Sequence, residues 1–167
     1  AAYVSAEKGV ETAKDALAGA MDILAERISD DARYRTYIRR ATRDQGSLQS
    51  SAKDEKAQSV YEMYYNYEEP VKKAAGHRIL ALNRGENEKM LIVKILAPEE
   101  TILRYLEKQV ITRENPYTTP VLRAVIEDSY KRLIAPAIER EIRNERTIMM
   151  FDITDFTDTI TVKIFVR

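Results

Sequence analysis

Cysteine is absent from the 167 residues, and so is tryptophan. Without a thiol the chain has no disulfide framework, no thiolate nucleophile and no cysteine-ligated zinc or iron–sulfur centre, and a reducing compartment suits it. Charge of one sign is lacking too: 27 Lys and Arg against 27 Asp and Glu leave a formal net charge of zero. No global field draws nucleic acid or an anionic membrane, so any such binding falls to local patches. No apolar run approaches the roughly 18 residues needed to cross a bilayer. The opening AAYVSAEKGVETA has no apolar signal-peptide core. These absences read as a soluble cytoplasmic chain with no membrane partner. With five glycines and five prolines there is no low-complexity linker either, and the sequence begins in mid-pattern without an initiator Met, as a fragment of a longer chain does.

What is present is ordinary for one globular domain, 44% hydrophobic and 32% charged. The patterning is helical for most of the length. Leu17, Ala20, Met21, Leu24 and Ile28 form one stripe of a helix from Glu11 to Ile28. Ser29 and Asp30 are candidate N-caps of a second helix, with Tyr34, Ile38 and Ala41 on one face, stopped by Gly46. Ser47 to Lys53 is polar and reads as a loop or a weak edge strand. The tyrosines at 61, 64, 65 and 67 suggest a short helix before Pro70, followed by a helix from Pro70 to Arg84 ended by Gly85. MLIVKIL at 90–96 is one buried strand. Pro98-Glu99-Glu100 opens a helix, and Thr119-Pro120 opens a long one to Glu145, kinked at Pro136.

At the Glu145–Arg146 junction the period changes from three-to-four to two. Ile160, Val162, Ile164 and Val166 alternate with Thr161, Lys163, Phe165 and Arg167, the spacing of a strand. The expected class is mainly α (α+β): a multi-helix body, one short strand near 90–96, and a C-terminal β-hairpin.

Four segments in order carry a resemblance: ALAGAMDILAERISDDA at 16–32, YNYEEP at 65–70, HRILALNRGENEKMLIVKI at 77–95 and AVIEDSYKRLIAPAIEREIRNE at 124–145. They resemble the Tex family of bacterial transcription accessory proteins across 1–145. The resemblance implies a slice of the helical N-terminal half of a longer cytoplasmic protein. Its later parts would hold a ribonuclease-H-like domain, helix-hairpin-helix motifs and an OB-type RNA-binding domain, and its function would be nucleic-acid binding linked to transcription. The run RTIMMFDITDFTDTITVKIFVR at 146–167 is instead similar to an OB-fold segment of the PolC-type DNA polymerase III alpha subunit. Two families in one chain read as a chimera, engineered or selected.

Five arginines fall between 33 and 43 with no acid among them, and Arg35, Arg39 and Arg43 share a face. They are candidates for phosphate contact or for salt bridges to nearby acids, and the zero net charge favours the second. Lys163, Phe165 and Arg167 form a cation–aromatic–cation row of the kind that grips and stacks a single strand, or one that covers a helix. His77 has no evident catalytic partner, and Asp152, Asp155 and Asp158 suit a hairpin turn better than a calcium loop. No catalytic set, metal cluster or cofactor motif is readable. The expected function is a non-enzymatic fragment of a transcription accessory protein with weak or no independent affinity for single-stranded RNA or DNA. The alternative is a packing module, a homo-oligomer formed through the hairpin edges.

Overall fold

The computed structural model describes residues 3–5, 9–54, 56 and 58–145. The expected hairpin over 146–167, with Lys163, Phe165 and Arg167, lies outside the described residues.

Helix α1 (Ala13–Asp30) opens on a capping box: the Thr12 hydroxyl accepts the Asp15 N–H at 3.2 Å, and the Asp15 carboxylate accepts the Thr12 N–H at 2.9 Å. Its buried stripe is shorter than the sequence predicts. Ala25, Ile28 and Ser29 are buried, whereas Leu17 is 51% and Leu24 38% exposed. Ser29 and Asp30 finish α1 instead of capping the next helix. That role falls to Asp31, whose carboxylate accepts the Arg33 N–H at 2.8 Å at the start of α2 (Ala32–Gln45).

The chain divides into two compact units, one of residues 1–38 and 99–137, the other of 39–98 and, among the described residues, 138–145. In the first unit α4 (Glu99–Val110) begins with the acids that Pro98 introduces, as expected. It packs on α5 (Thr119–Asp128), which also packs on α1. Ile102, Leu106, Val125, Ile126, Tyr130 and Ile134 are almost wholly buried. The buried Ser129 hydroxyl donates to the Ala25 carbonyl of α1 at 2.7 Å, so its burial leaves no unmet donor. The long helix is interrupted just ahead of Pro136. Six residues, Ser129–Ile134, form a π-helical stretch in which the Ala135 N–H reaches the Tyr130 carbonyl. The wide turn accommodates the donor that Pro136 lacks. Helix α6 (135–145) follows.

Among the described residues the second unit holds three strands, where the sequence predicts one near 90–96 and leaves 47–53 as a loop or a weak edge strand. β1 (Ser47–Ala52) is central, flanked antiparallel by β2 (Asn66–Pro70) and β3 (Leu91–Leu96), in the order β2-β1-β3. The segment expected to be a loop or a weak edge strand is therefore the middle of a sheet. Leu48 and Ser50 point inward, and Ser50 is tolerated there because its hydroxyl donates to the Tyr64 carbonyl. The expected helix from Pro70 is also corrected: Pro70 ends β2, a single 3₁₀ turn spans Val71–Lys73, and α3 covers Gly76–Asn87. The apolar layer beneath the sheet contains Leu48, Tyr61, Ile79, Leu82, Leu91 and Val93, with Tyr64, Tyr65 and Tyr67 packed against it. All four tyrosines of the 61–67 cluster thus serve the core.

Gly85 lies inside α3 and does not stop it. A Cβ there would sit 2.6 Å from Leu91 Cδ1 and 2.9 Å from its Cγ, so the glycine lets β3 approach the helix. The chain turns out of α3 on Lys89, which adopts the left-handed region at φ 61°. Gly46 does end α2, and more strictly: a Cβ would lie 2.4 Å from the Thr42 carbonyl oxygen and 2.8 Å from that of Leu96. Backbone oxygens cannot rotate away as a leucine can. Gly46→Ala should therefore destabilise by roughly 3 kcal/mol, and Gly85→Ala by only about 1–2 kcal/mol because helix propensity offsets part of the overpacking. Denaturant unfolding of the two variants checks that order.

Candidate nucleic-acid interface

Each of the five arginines of α2 is engaged by a neighbour. Arg33 meets the Asp31 carboxylate at 2.8 Å, and Arg40 lies 3.6 Å from Asp44 one turn on. Arg35 Nη1 donates to the Ser29 carbonyl at 3.4 Å. Arg39 Nε donates to Glu141 Oε2 at 2.9 Å, and Arg43 Nη2 donates to Glu145 Oε2. The last two form a ladder: a four-residue step on α2 matches a four-residue step on α6, joining positions 102 residues apart. These side chains are about a third to a half exposed, so each pair contributes about 0.2–1 kcal/mol. Arg33, Arg39, Arg40 and Arg43 thus have their charges matched by carboxylates of the same chain.

Basic side chains without an acidic partner among the described residues lie elsewhere. Lys72 and Lys73 are exposed on the 3₁₀ turn before α3, and His77 is exposed in the first turn of that helix. Arg78 beside them is held by Glu69 at 2.8 Å. Three tyrosines form a separate aromatic cluster in the first unit. Tyr37 stacks on Tyr105 with centroids 3.6 Å apart, and Tyr34 meets Tyr105 edge-on at 6.2 Å. One face of Tyr37 and one of Tyr105 are thus spent on each other, and the Arg33 guanidinium lies 5.7 Å from the Tyr34 ring.

Every resolved pKa shift moves its group away from neutrality. The Arg33 hydrogen bond holds the Asp31 carboxyl at about 2, and Arg132 lowers Asp128 in the same way. Hydrogen bonding to Glu127 raises Lys131, and burial pushes Tyr130 up to about 12. These arrangements lock ordinary charge states and prepare none of these groups for proton transfer near pH 7. Among the described residues no three His, Cys, Asp or Glu side chains converge as a metal site. No helix among them is long and apolar enough to cross a membrane.

The arginines are legible in the sequence, but their partners are not. Nor is a network at the edge of β3, where Arg143 pairs with Glu86 at 2.6 Å and with Glu139 at 2.7 Å. The acids of IEREIRNE are visible in the sequence, but nothing local says which arginine each one meets.

The molecule is thus of the mainly helical α+β class, with a small antiparallel sheet and an arginine-bearing helix whose side chains are engaged within the chain. Its residues 1–147 match the family model described as Tex central region-like. The protein YdcI of Bacillus subtilis is 50% identical over 146 residues, covering 86% of this chain and 20% of that protein. S1 RNA-binding domain-containing protein 1 of Pongo abelii is 32% identical, covering 86% of this chain and 17% of its own length. Protein YhgF of Escherichia coli is 36% identical over 101 residues, 58% of this chain and 13% of its own length. The chain belongs to the Tex family. It spans a fifth or less of the length of each of these relatives. The family match ends two residues past the Glu145–Arg146 junction, so nearly all of the β-patterned tail lies beyond it.

The Asp31 site makes a direct test. A carboxyl held near 2 instead of its usual 3.8 stabilises the start of α2 fully above pH 3.8, and that stabilisation is lost as pH falls through 2. An NMR titration of Asp31 should show its midpoint near 2, returning toward 3.8 in Arg33→Ala.

Proposed function

We propose that this chain is the non-enzymatic packing scaffold of a nucleic-acid-associated transcription accessory protein, with weak or no affinity of its own for single-stranded RNA or DNA. The observation that carries the reading is the ladder of Arg39 with Glu141 and Arg43 with Glu145, which uses on the fold the charge that phosphate binding would need. Membership of the Tex family supports the association with transcription. The printed name of one relative, an S1 RNA-binding domain-containing protein, supports RNA as the partner class of a longer molecule. In such a molecule other domains would grip the nucleic acid and this part would hold them in place. The row Lys163, Phe165 and Arg167 belongs to the same proposal as a secondary contact, and a fused OB-type tail is its finer form. Cytoplasmic placement goes with it.

Titration with single-stranded RNA across a salt series tests the reading. The dissociation constant should be no tighter than about 10⁻⁴ M at physiological salt, and a micromolar value there would overturn it. The pair Glu141→Gln with Glu145→Gln keeps the shape of the acids while releasing two guanidinium charges. Affinity should rise, and the log–log salt slope should steepen by about 0.7 for each arginine that gains a phosphate. Unchanged affinity would remove Arg39 and Arg43 from the candidate interface.

A further inference from the structure

We infer that Glu86, Glu139 and Arg143 together substitute for a fourth strand on β3, and that this closes the edge of the sheet against pairing with a second copy of the chain. In an antiparallel ladder, alternate residues turn their peptide groups toward the neighbouring strand and the rest turn them outward. The Lys53 N–H donates to the Met90 carbonyl across the β1–β3 pair, which places the even positions of β3 toward β1 and Val93 and Ile95 outward. As a strand at the end of the order β2-β1-β3, β3 would normally leave those outward groups to solvent.

They are instead taken by side chains. The Val93 N–H donates to Glu86 Oε1 at 3.4 Å, and the Ile95 N–H donates to Glu139 Oε1 at 3.3 Å. The Val93 carbonyl accepts from Arg143 Nη2. Arg143 also binds Glu86 Oε2 and Glu139 Oε1, so one guanidinium holds both acceptors in register. Two acceptors and one donor, spaced along the edge and fixed by a side chain only 16% exposed, reproduce what a neighbouring backbone would offer. The strand behind them is the one that most needs covering. LIVKIL is nearly all apolar, and Ile92 and Leu96 are each 44% exposed on its open face. An uncovered apolar edge is a template for strand pairing, and a two-fold axis would let Val93 and Ile95 of two copies pair with each other.

Sedimentation velocity of the full 167-residue chain over a dilution series tests this. Arg143→Ala should shift toward dimer with rising concentration relative to the unsubstituted chain, and Ile95→Pro added to it should reverse the shift, because proline removes the outward donor. Amide exchange gives a second readout that needs no association. Glu86→Ala should speed exchange at Val93 and Glu139→Ala at Ile95, each by about tenfold, the factor expected for losing one hydrogen bond to a charged acceptor. An Arg143→Ala chain that is folded but assembles no more than the parent would overturn the inference, as would unchanged exchange at both amides. Should Arg143→Ala fail to fold, exchange in the two glutamate variants decides.

Discussion

The second unit depends on a four-residue repeat in the last helical turns before Glu145. Ile138 and Ile142, both 1% exposed, bury one face of α6. Glu139 and Arg143, on the next face, reach the outer edge of β3. Glu141 and Glu145, on a third, receive Arg39 and Arg43 of α2. Side chains four apart lie above one another on a helix, so eight residues supply an apolar stripe, an edge cover and an ion-pair ladder without competing for space. Each partner comes from a region of chain more than 40 residues away, so the outer edge of β3 and the arginines at the end of α2 meet these partners only once α6 is in place.

The zero net charge of the chain is a matter of composition, 27 basic against 27 acidic residues, and among the described residues part of that charge is also matched pair by pair. The salt bridges of α2, of Arg78 with Glu69, of Arg123 with Glu107 and of Arg132 with Asp22 and Asp128 distribute acids to cations one by one. Individually such exposed pairs contribute little to stability. Their collective effect is on the outward field, which is what a polyanion would sense first. A row of arginines at helical spacing is an ambiguous signal for that reason: the same five side chains bind phosphate or bind the fold, according to where the acids lie.

Helices were the legible part of this chain because their signal is periodic and local. α1, α4 and the run through α5 to α6 announce themselves by apolar spacing, by Pro98 and by the first-turn acids Glu99 and Glu100. β1 was hidden because GSLQSSA has one large apolar residue; it is central through backbone pairing on both sides, with Ser50 made tolerable by a single hydrogen bond to the Tyr64 carbonyl. Gly85 looked like a stop because glycine ends helices, yet its role was to make room for Leu91, a fact about another element. Of the site residues, Arg35, Arg39 and Arg43 could be found by spacing. Glu141 and Glu145 could not be matched to them, since the pairing spans 102 residues and only the fold fixes it.

The two edges of the sheet show how sequence and protection are matched. β2 carries NYEEP, and residues 66, 68 and 70 face outward, since the Tyr65 carbonyl accepts from Ala52 and the Val71 N–H donates to Gly46 on the β1 side. That edge is five residues long, bears Glu68, and ends on a proline that has no N–H to offer, three features that discourage an added strand. β3 could not use them, because a charge or proline in place of Val93 would sacrifice a side chain that is 4% exposed in the apolar layer. Its outward peptides therefore had to be met from outside the strand. Glutamates on α3 and α6 do so while leaving the apolar run intact, and the single arginine between them offsets the repulsion that two carboxylates on one edge would otherwise create.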